Sequence, residues 1–427
     1  MPSPTQLLEQ AIAAFAADGD PSALTSVEAQ QAAHALASGP MTPQEAELVL
    51  VTFGLPLIQL SVNQASPGEL DAIAAALPVF DQSQAHYLEP SDFNRIVDRL
   101  ATAARTFWNQ LDITEDEPVV WEATARWYGA VVATAPEDHW EMPWFLSRYS
   151  EALTTLFEFT NDRAALDQAV EAAHRAFEIT SVDEPFWVPI ASCYSSTLVR
   201  LYEQTSDLAA IEQAVQIGRQ AFHQVDETES AKPAVSSNLV GALMRYFDAT
   251  GDKAAQEEAV AVARLALRLS HEDDPERPFR ASNLGTALAS LAKEAHDPAL
   301  AEEAVAAMDI ALAGLPAPNP FRATVLSNYC YALHILAQIN GDLAARHRAI
   351  QMGREAIKLT PGPDPDKPGF ADNLAQALFG LWEATGDRAA LKKAIKTWEL
   401  ALELAPEGYL ARAEYEDRLA TAKAARR

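Results

Sequence analysis

Alanine recurs with a period of 45 residues from residue 169 to residue 394, and a second alanine follows each of these by seven residues. Seven residues return to nearly the same face of a helix, and small side chains there let a neighbouring helix approach closely. The pattern therefore predicts six copies of one packed helix, here called helix B. The pairs are Ala169 and Ala176, Ala214 and Ala221, Ala259 and Ala266, Ala304 and Ala311, Ala349 and Ala356, and Ala394 and Ala401.

A turn is predicted before each helix B. An aspartate stands seven residues before the first alanine of every copy, and glycine precedes it in three copies. A carboxylate in this place can accept hydrogen bonds from the free amides of the first helical turn, so each aspartate is expected to cap helix B. The aspartates are Asp162, Asp207, Asp252, Asp297, Asp342 and Asp387.

A second helix, helix A, is predicted upstream of each turn. Leucine recurs there every 45 residues, and a proline opens most copies, which fits because proline is tolerated in the first turn of a helix. In the fifth copy Pro320 comes early in the repeat, which predicts that this helix A starts one turn early. The leucines are Leu153, Leu198, Leu243, Leu288, Leu333 and Leu378, and the prolines are Pro143, Pro189, Pro233, Pro278, Pro320 and Pro368.

The fourth copy combines Leu-Gly in helix A with alanine, a large apolar residue, alanine and proline around helix B. The residues concerned are Leu284, Gly285, Leu288, Ala304, Met308, Ala311 and Pro316. This combination is similar to the signature of the tetratricopeptide repeat (TPR).

The repeat is longer than a standard TPR by about eleven residues. This longer form resembles the repeats found beside caspase-like CHAT peptidase domains in actinobacterial proteins, and the resemblance covers roughly residues 140 to 406. It implies an all-α fold, a right-handed superhelical solenoid of antiparallel helix pairs. No peptidase domain is recognisable in the sequence, so the resemblance does not imply protease activity.

The rest of the chain is divided by its relation to these repeats. Residues 1–90 form an irregular acidic helical N-terminal region, and residues 91–142 form a degenerate TPR-like hairpin in which Ala123, Trp127 and Ala130 reproduce the helix B pattern. Residues 143–406 hold the six repeats. Residues 407–427 form a polar capping helix of the kind that covers the last apolar face of a solenoid.

The chain is strongly acidic. Asp and Glu number 60 against 32 Lys and Arg, a formal charge of -28, and residues 1–94 contain eleven acidic residues and no Lys or Arg. Such a field repels phosphates, which argues against nucleic acid or a membrane surface as a partner. Protein or peptide partners are expected instead.

The two cysteines, Cys193 and Cys330, form neither a CxxC pair nor a disulfide framework. The first residues lack the basic and apolar segments of a signal peptide, and the longest apolar run is too short to cross a bilayer. A cytoplasmic location is therefore predicted.

The sequence lacks the common motifs of catalysis. The nine histidines show no HExxH spacing, and neither GxSxG, GxGxxG nor a P-loop occurs. The sequence therefore predicts a protein that is not an enzyme, with no cofactor and no metal.

An asparagine row marks the first candidate binding residues. Asn238, Asn283, Asn328 and Asn373 repeat at the 45-residue period in helix A, directly after a row of serines. The TPR resemblance implies that this side of helix A faces a peptide-binding groove. Asparagine offers a donor and an acceptor that match a peptide bond. Two interpretations stay open: the row holds an extended peptide, or each asparagine bridges adjacent repeats.

The earlier repeats carry different residues in these places. Arg148 and Cys193 replace asparagine, and Arg200 and Arg245 lie seven residues after the row, near the same face. These arginines can bind a carboxylate in bidentate fashion or pair with neighbouring acidic side chains. Trp144, one turn before Arg148, is the aromatic candidate for the groove.

Six of the eight tryptophans fall within 80 residues near the start of the repeats. Such a cluster either lines a ligand pocket or fills the core where unlike modules meet, and Trp127 is expected to be core. The six are Trp108, Trp121, Trp127, Trp140, Trp144 and Trp187.

Two classes of function follow. The first is a non-catalytic scaffold that binds a peptide or protein in the groove, as the regulatory or sensing partner of a separate effector. The alternative is an enzyme or small-molecule-binding protein that uses the Trp-rich region or a closed helical toroid. The carboxylates available to that alternative are Glu115, Asp116, Glu117, Glu137, Asp138 and Glu141.

Overall fold

The computed structural model describes residues 2–59, 62–110, 118–317, 319, 321–362, 364, 366–405 and 409–426, and the described residues contain helices, turns and no strand. The chain divides into two compact units, residues 1–193 and 194–427. The boundary falls within a helix, α10 (Trp187–Thr205).

The first unit contains nine helices and the start of α10 in its described part. A π-helical segment, Leu50–Gly54, joins the third helix to the fourth and continues the helical path. The nine are α1 (Pro4–Asp18), α2 (Val27–Ala37), α3 (Pro43–Val49), α4 (Leu55–Gln59), α5 (Pro67–Ala76), α6 (Pro90–Gln110), α7 (Pro118–Thr134), α8 (Met142–Thr160) and α9 (Arg163–Ile179).

The second unit continues α10 as a series of helix pairs. Even-numbered helices are helix A of a repeat and odd-numbered helices are helix B, apart from the final helix, α20. These helices are α11 (Leu208–Gln224), α12 (Lys232–Thr250), α13 (Lys253–Leu269), α14 (Arg277–Ala295), α15 (Pro298–Ala313), α16 (Arg322–Asn340), α17 (Leu343–Leu359), α18 (Lys367–Thr385), α19 (Arg388–Leu404) and α20 (Arg412–Ala425).

The helix boundaries follow the sequence period. Each helix A from α8 to α18 begins 45 residues after the one before it, and α20 begins 45 residues after α18. The predicted early start of the fifth repeat is wrong, because α16 begins at Arg322, in register with Arg277 at the start of α14. Pro320, on which that prediction rested, lies outside the described residues.

The turns inside the pairs have the predicted chemistry. Each aspartate of the row accepts a hydrogen bond from the amide two residues later, as in Asp252 to Ala254 at 2.9 Å. The residue before each aspartate has a positive φ, 72° at Gly251 and 52° at His296. This left-handed residue ends helix A, and the aspartate starts helix B.

Small residues bring the helices close together. All twelve alanines of the two rows are buried. At Gly285 in α14, a Cβ would come within 2.7 Å of the Met308 side chain and 3.0 Å of the Ala304 carbonyl oxygen in α15. Successive copies of helix A also contact each other, as α12 does α14, α14 does α16 and α16 does α18. The all-α class and the pairwise stacking of helices are thus confirmed.

The first residue of α12, α14, α16 and α20 is a cation that binds the end of the preceding helix B. Arg277 Nη1 donates to the carbonyl oxygens of Leu267 at 3.0 Å and Ser270 at 2.8 Å, at the end of α13. Lys232, Arg322 and Arg412, which begin α12, α16 and α20, make the same double contact with the helix B before them. They donate to Phe222 and Val225, to Leu312 and Leu315, and to Leu402 and Ala405 respectively. A positive charge here meets the negative end of helix B and satisfies its free carbonyls.

Two further observations bear on the class of protein. In the part of the chain that the structure describes, none of the helices is long and apolar enough to pass through a bilayer. The same residues hold no group of three or more His, Cys, Asp or Glu placed to bind a metal ion.

Candidate functional site

In the second unit, the less buried side chains of helix A lie on one face of each helix. In α14 they are Phe279, Asn283, Thr286 and Ser290, spaced three or four residues apart. The corresponding positions of α10, α12, α16 and α18 form, with α14, a continuous surface that we call the A face. Every candidate residue from Arg200 to Asn373 lies on it.

Residues far apart in sequence interact electrostatically across the A face of the second unit. Burial raises the pKa of Asp248 on α12; the Arg245 charge opposes this rise, whereas the charge of Glu414 on α20 adds to it. Burial also raises the pKa of the Tyr409 hydroxyl; the charge of Arg245 opposes this rise, and the charge of Glu203 adds to it. Charges separated by more than about 10 Å are largely screened. Groups more than 160 residues apart in sequence thus lie near each other across this face.

The two arginines of the A face are joined by one carboxylate. Arg200 Nη1 lies 2.8 Å from Glu203 Oε2, and Arg245 Nε lies 2.6 Å from Glu203 Oε1. Burial raises the pKa of Glu203, but the two arginine charges outweigh it, so the carboxylate pKa is lowered. Arg245 also lies 3.6 Å from Asp248.

This ion cluster remains open to solvent. Arg245 keeps 47% of its side-chain surface exposed. Desolvation lowers the pKa of Arg245, yet the charge of Glu203 and its hydrogen bond outweigh this effect and the pKa is raised.

The asparagine row makes contacts between repeats. Asn328 Nδ2 donates to Ser282 Oγ at 3.1 Å, and Asn373 Nδ2 donates to Ser327 Oγ at 3.0 Å. Asn283 is half-buried in the same place on α14, and Asn238 is exposed on α12. Each of these two hydrogen bonds uses an amide nitrogen and connects an asparagine to the serine row of the preceding repeat.

The row ends in an ion pair. Asp372 takes the place of serine in the sixth repeat, and Arg418 of α20 takes the place of asparagine 45 residues after Asn373. Arg418 Nη1 donates to Asp372 Oδ2, and Trp398 Nε1 donates to Asp372 Oδ1 at 2.7 Å. Three donors, with Gln376 the third, therefore satisfy a carboxylate that is almost wholly buried.

In the first unit, the structure brings Trp144 and Arg148 together. The guanidinium carbon of Arg148 lies 4.3 Å from the ring centre of Trp144 and 5.2 Å from that of Trp108. Its Nη1 lies 2.7 Å from Glu151 Oε2. Stacking on two aromatic faces holds this arginine in one orientation.

Cys193 lies beside this cluster. Its Sγ is 3.7 Å from the carbonyl oxygen of Ser147. Burial raises the pKa of the thiol to about 11, and the negative charge of Glu151 adds to the rise. Cys330 is fully buried, and burial raises its pKa to about 12. Neither thiol has the lowered pKa of a nucleophile.

The tryptophans divide between core and surface. Trp127 is fully buried, as expected, and its Nε1 donates to Asp71 at 2.9 Å. Trp187 is also buried, whereas Trp140 is exposed. Trp108, Trp121 and Trp144 are half-buried.

The carboxylates named for the enzymatic alternative differ in their surroundings. Glu115, Asp116 and Glu117 lie outside the described residues. Glu137 is 94% exposed, while Glu141 accepts a hydrogen bond from Arg105 at 2.8 Å.

Sequence reasoning missed the partners of the arginines. Glu151, Glu203 and Asp248 each lie three residues after an arginine of the set, a helical spacing that places both charges on one face. It also missed the Asp372–Arg418 pair, which the 45-residue period could have revealed.

Comparisons with known proteins add distant likenesses. No protein-family model and no curated protein matches the chain. Among solved structures it is similar to yeast Tom70, with 13% identity over 98% of this chain and 92% of that chain, at a TM-score of 0.34. It is also similar to the structure of Naa15/Naa10 bound to HypK-THB, with 12% identity, 98% and 67% coverage and a TM-score of 0.19.

A third likeness is to the de novo designed helical repeat protein DHR64. The identity is 18%, the coverage is 66% of this chain and 97% of that chain, and the TM-score is 0.16. Since these TM-scores are all below 0.5, the fold assignment rests on the helix pairs of the chain itself.

Proposed function

We propose that the protein is a non-catalytic scaffold whose A face binds an extended peptide or a segment of a partner protein. The observation that carries the proposal is the accessible cluster of Arg200, Glu203 and Arg245 on the A face. We infer that this face is concave, because groups more than 160 residues apart in sequence interact across it. Concave surfaces with a few fixed polar groups are where ligands are usually held. A carboxylate of the partner would displace Glu203 or Asp248 and accept the hydrogen bonds of the arginines. An acidic or C-terminal peptide offers such a carboxylate.

The resemblance to repeats found beside CHAT peptidase domains supports a more specific role. In that setting the repeats would recognise a signal and the partner would act on it. We therefore propose that the chain is the regulatory or sensing partner of a separately encoded effector.

The test is to reverse both arginines with Arg200→Glu and Arg245→Glu. Affinity purification from a lysate of its own organism would identify the partner of the unaltered chain, and titration would then compare the variants. Binding of that partner should be lost, because the two new glutamates would join Glu203 and Asp248 to make a cluster of four acidic groups. Arg264→Glu is the matched control, because Arg264 pairs with Glu303 between helices α13 and α15, away from the A face.

Repulsion among four acidic groups could also unfold the local structure. Arg200→Gln and Arg245→Gln remove the positive charges without adding negative ones, and melting curves would report the fold. Undiminished affinity in a folded glutamine variant would rule out these arginines as the contact.

One observation favours the alternative, a small-molecule site in the first unit. The Tyr128 hydroxyl, Ser147 Oγ and Arg148 Nε are buried and lack a hydrogen-bond partner. Buried polar atoms are normally satisfied, so a small polar ligand beside the Trp108–Arg148–Trp144 stack would supply what they lack. Mass spectrometry of the purified protein under native conditions distinguishes the two: a co-purifying small molecule supports the alternative, and a stoichiometric protein supports the scaffold.

A further inference from the structure

Ion pairs connect successive copies of helix B in the second unit. Arg219 on α11 contacts Glu258 on α13 through two nitrogens, with Nη2 2.6 Å from Oε2 and Nε 3.0 Å from Oε1. Arg264 on α13 contacts Glu303 on α15 in the same way, with Nε 2.8 Å from Oε1. In each pair the partners are 39 residues apart, and the second pair follows the first by 45 residues, so the two pairs occupy equivalent places of successive repeats.

The next pair keeps the contact but exchanges the charges. Asp309 on α15 occupies the place of the arginines, and Arg348 on α17 occupies the place of the glutamates, with Arg348 Nη2 2.8 Å from Asp309 Oδ1. Because the contact survives this exchange, opposite charge is the feature that the first three junctions share.

The last junction breaks this rule. Arg354 on α17 and Lys393 on α19 stand 45 residues after Asp309 and Arg348, so two cations meet where the other junctions pair a cation with an anion. Across the ranges described above, neither side chain takes part in an ion pair. Both are exposed.

A cavity lies at this junction. Its volume is about 330 Å³, and its rim contains Arg354, Lys393, His347 and Gln351. Leu378 and Leu381 of α18 contribute apolar surface.

One acidic group also lines the cavity. Asp387 caps α19, and its Oδ1 accepts the amide of Ala389 at 2.8 Å. This carboxylate therefore already caps α19, and the cationic side chains that line the cavity outnumber it.

The helices around the cavity are basic in an otherwise acidic chain. α17 and α19 each carry four Lys or Arg residues, against one and two acidic residues, whereas α15 carries three acidic residues and no Lys or Arg. The basic residues are Arg346, Arg348, Arg354, Lys358, Arg388, Lys392, Lys393 and Lys396.

We propose that Arg354 and Lys393 form an anion-binding site that takes a carboxylate-bearing segment of a partner protein. The two cations and the amide of Gln351 supply donors for the carboxylate. Leu378 and Leu381, 3% and 8% exposed, add a small apolar surface against which a side chain next to the carboxylate can pack. The site lies on the helix B side of the repeats and does not depend on the function proposed for the A face.

The decisive variant is Lys393→Glu, because it restores the opposite-charge pairing of the other junctions. The probe is a fluorescent acetylated peptide of alternating glutamate and leucine, followed by anisotropy at low salt. Binding to the unaltered protein is expected, with affinity about tenfold lower in the variant, the effect of removing one charge-assisted contact. Its melting temperature should be equal to or higher than that of the unaltered protein, so a loss of binding cannot be ascribed to unfolding.

Lys396→Glu is the matched control, since it makes the same charge change on the same helix at a residue that does not line the cavity. It should leave affinity nearly unchanged. Arg354→Gln should weaken binding as Lys393→Glu does.

Three results would overturn the proposal. The first is no binding of the glutamate–leucine peptide to the unaltered protein. The second is an equal loss in Lys393→Glu and Lys396→Glu, which would indicate general charge attraction. The third is equally tight binding of a glutamine–leucine peptide or of inorganic phosphate, since the site would then not require a carboxylate-bearing segment.

Discussion

The residue that follows the serine row in helix A decides how one repeat is joined to the next. In two repeats it is an asparagine whose amide reaches back to the serine of the preceding repeat, as Asn328 does to Ser282 and Asn373 does to Ser327. Where the row ends, an arginine and an aspartate take over the same contact. Polar groups thus connect helices whose other contacts are mostly alanine and leucine.

Replacing Asn373 with alanine tests whether the row is structural. The change removes a partly buried hydrogen bond, so the free energy of unfolding should fall by about 1 kcal/mol. Asn283→Ala is the matched control, because no such bond to the preceding serine row is found for Asn283 in the described structure. Chemical denaturation measures both. If the two variants are equally stable and only peptide affinity falls, the row serves the ligand instead.

A buried histidine predicts a dependence of stability on pH. Burial lowers the pKa of His334 from 6.5 to about 4, and the charges of Arg346, Lys293 and Arg418 act in the same direction. Between these pH values the unfolded chain binds a proton that the folded protein does not, so stability falls as the pH falls from 6.5 to about 4. Above pH 6.5 the contribution is complete.

A shift of this size corresponds to a loss of roughly 3 kcal/mol in the free energy of unfolding once the pH has fallen to about 4 or below. His334→Gln should flatten the curve of unfolding free energy against pH in this window, measured by urea denaturation. His271→Gln, which alters a histidine 82% exposed, should leave the slope unchanged. If the curve for His334→Gln ran parallel to that of the unaltered protein, carboxylates alone would cause the acid sensitivity.

At the scale of the helices, each turn between helix A and helix B depends on a residue with positive φ. Glycine adopts this conformation at little cost, whereas other residues are strained there. Gly251, Gly341 and Gly386 fill the place in three repeats, while His296 fills it with a φ of 52°. The six turns are therefore not equally stable.

Two substitutions of opposite sign follow from this difference. Gly341→Ala should lower the unfolding free energy by about 1 kcal/mol, and His296→Gly should raise it by a similar amount. A Cβ at position 341 meets no atom within 4 Å, so conformation alone is tested. Thermal melting of both variants measures the effect. Equal destabilisation by both would show that the side chain of His296, not its φ, governs that turn.

Sequence periodicity predicted the helices and their turns because both depend on short-range rules. An aspartate at the start of helix B caps the same helix in which it lies, and an alanine row needs only a helical period. The start of α16 follows the 45-residue period and not the early Pro320, so the proline alone is a poor guide to where this helix begins. The role of the cationic residues at the start of helix A could not be predicted from the period. Arg277 binds the end of the preceding helix, and this contact depends on the bend of the loop between them.

At the scale of the whole molecule, charge is distributed unevenly. The first 94 residues contain no Lys or Arg, whereas α17 and α19 form the basic surface of the second unit. Periodicity located the arginine, cysteine and asparagine positions, but it could not say which acidic groups would pair with them. That pairing depends on rotamers and on curvature, since Arg245 on α12 reaches Glu203 on α10 across 42 residues of sequence.

The net charge of -28 predicts how stability responds to salt. The ion pairs between repeats are largely exposed, with side-chain exposures of 40% and 32% for Arg219 and Glu258, so each contributes about 0–1 kcal/mol. Repulsion among the excess carboxylates acts over the whole surface, and salt screens it as well. The repulsion among the excess carboxylates outweighs the attraction of these few ion pairs. Screening should therefore raise the melting temperature as sodium chloride is increased from about 10 mM to about 300 mM. Potassium chloride should give the same curve, which separates screening from specific ion binding, whereas a melting temperature that falls with salt would mean that the inter-repeat ion pairs dominate.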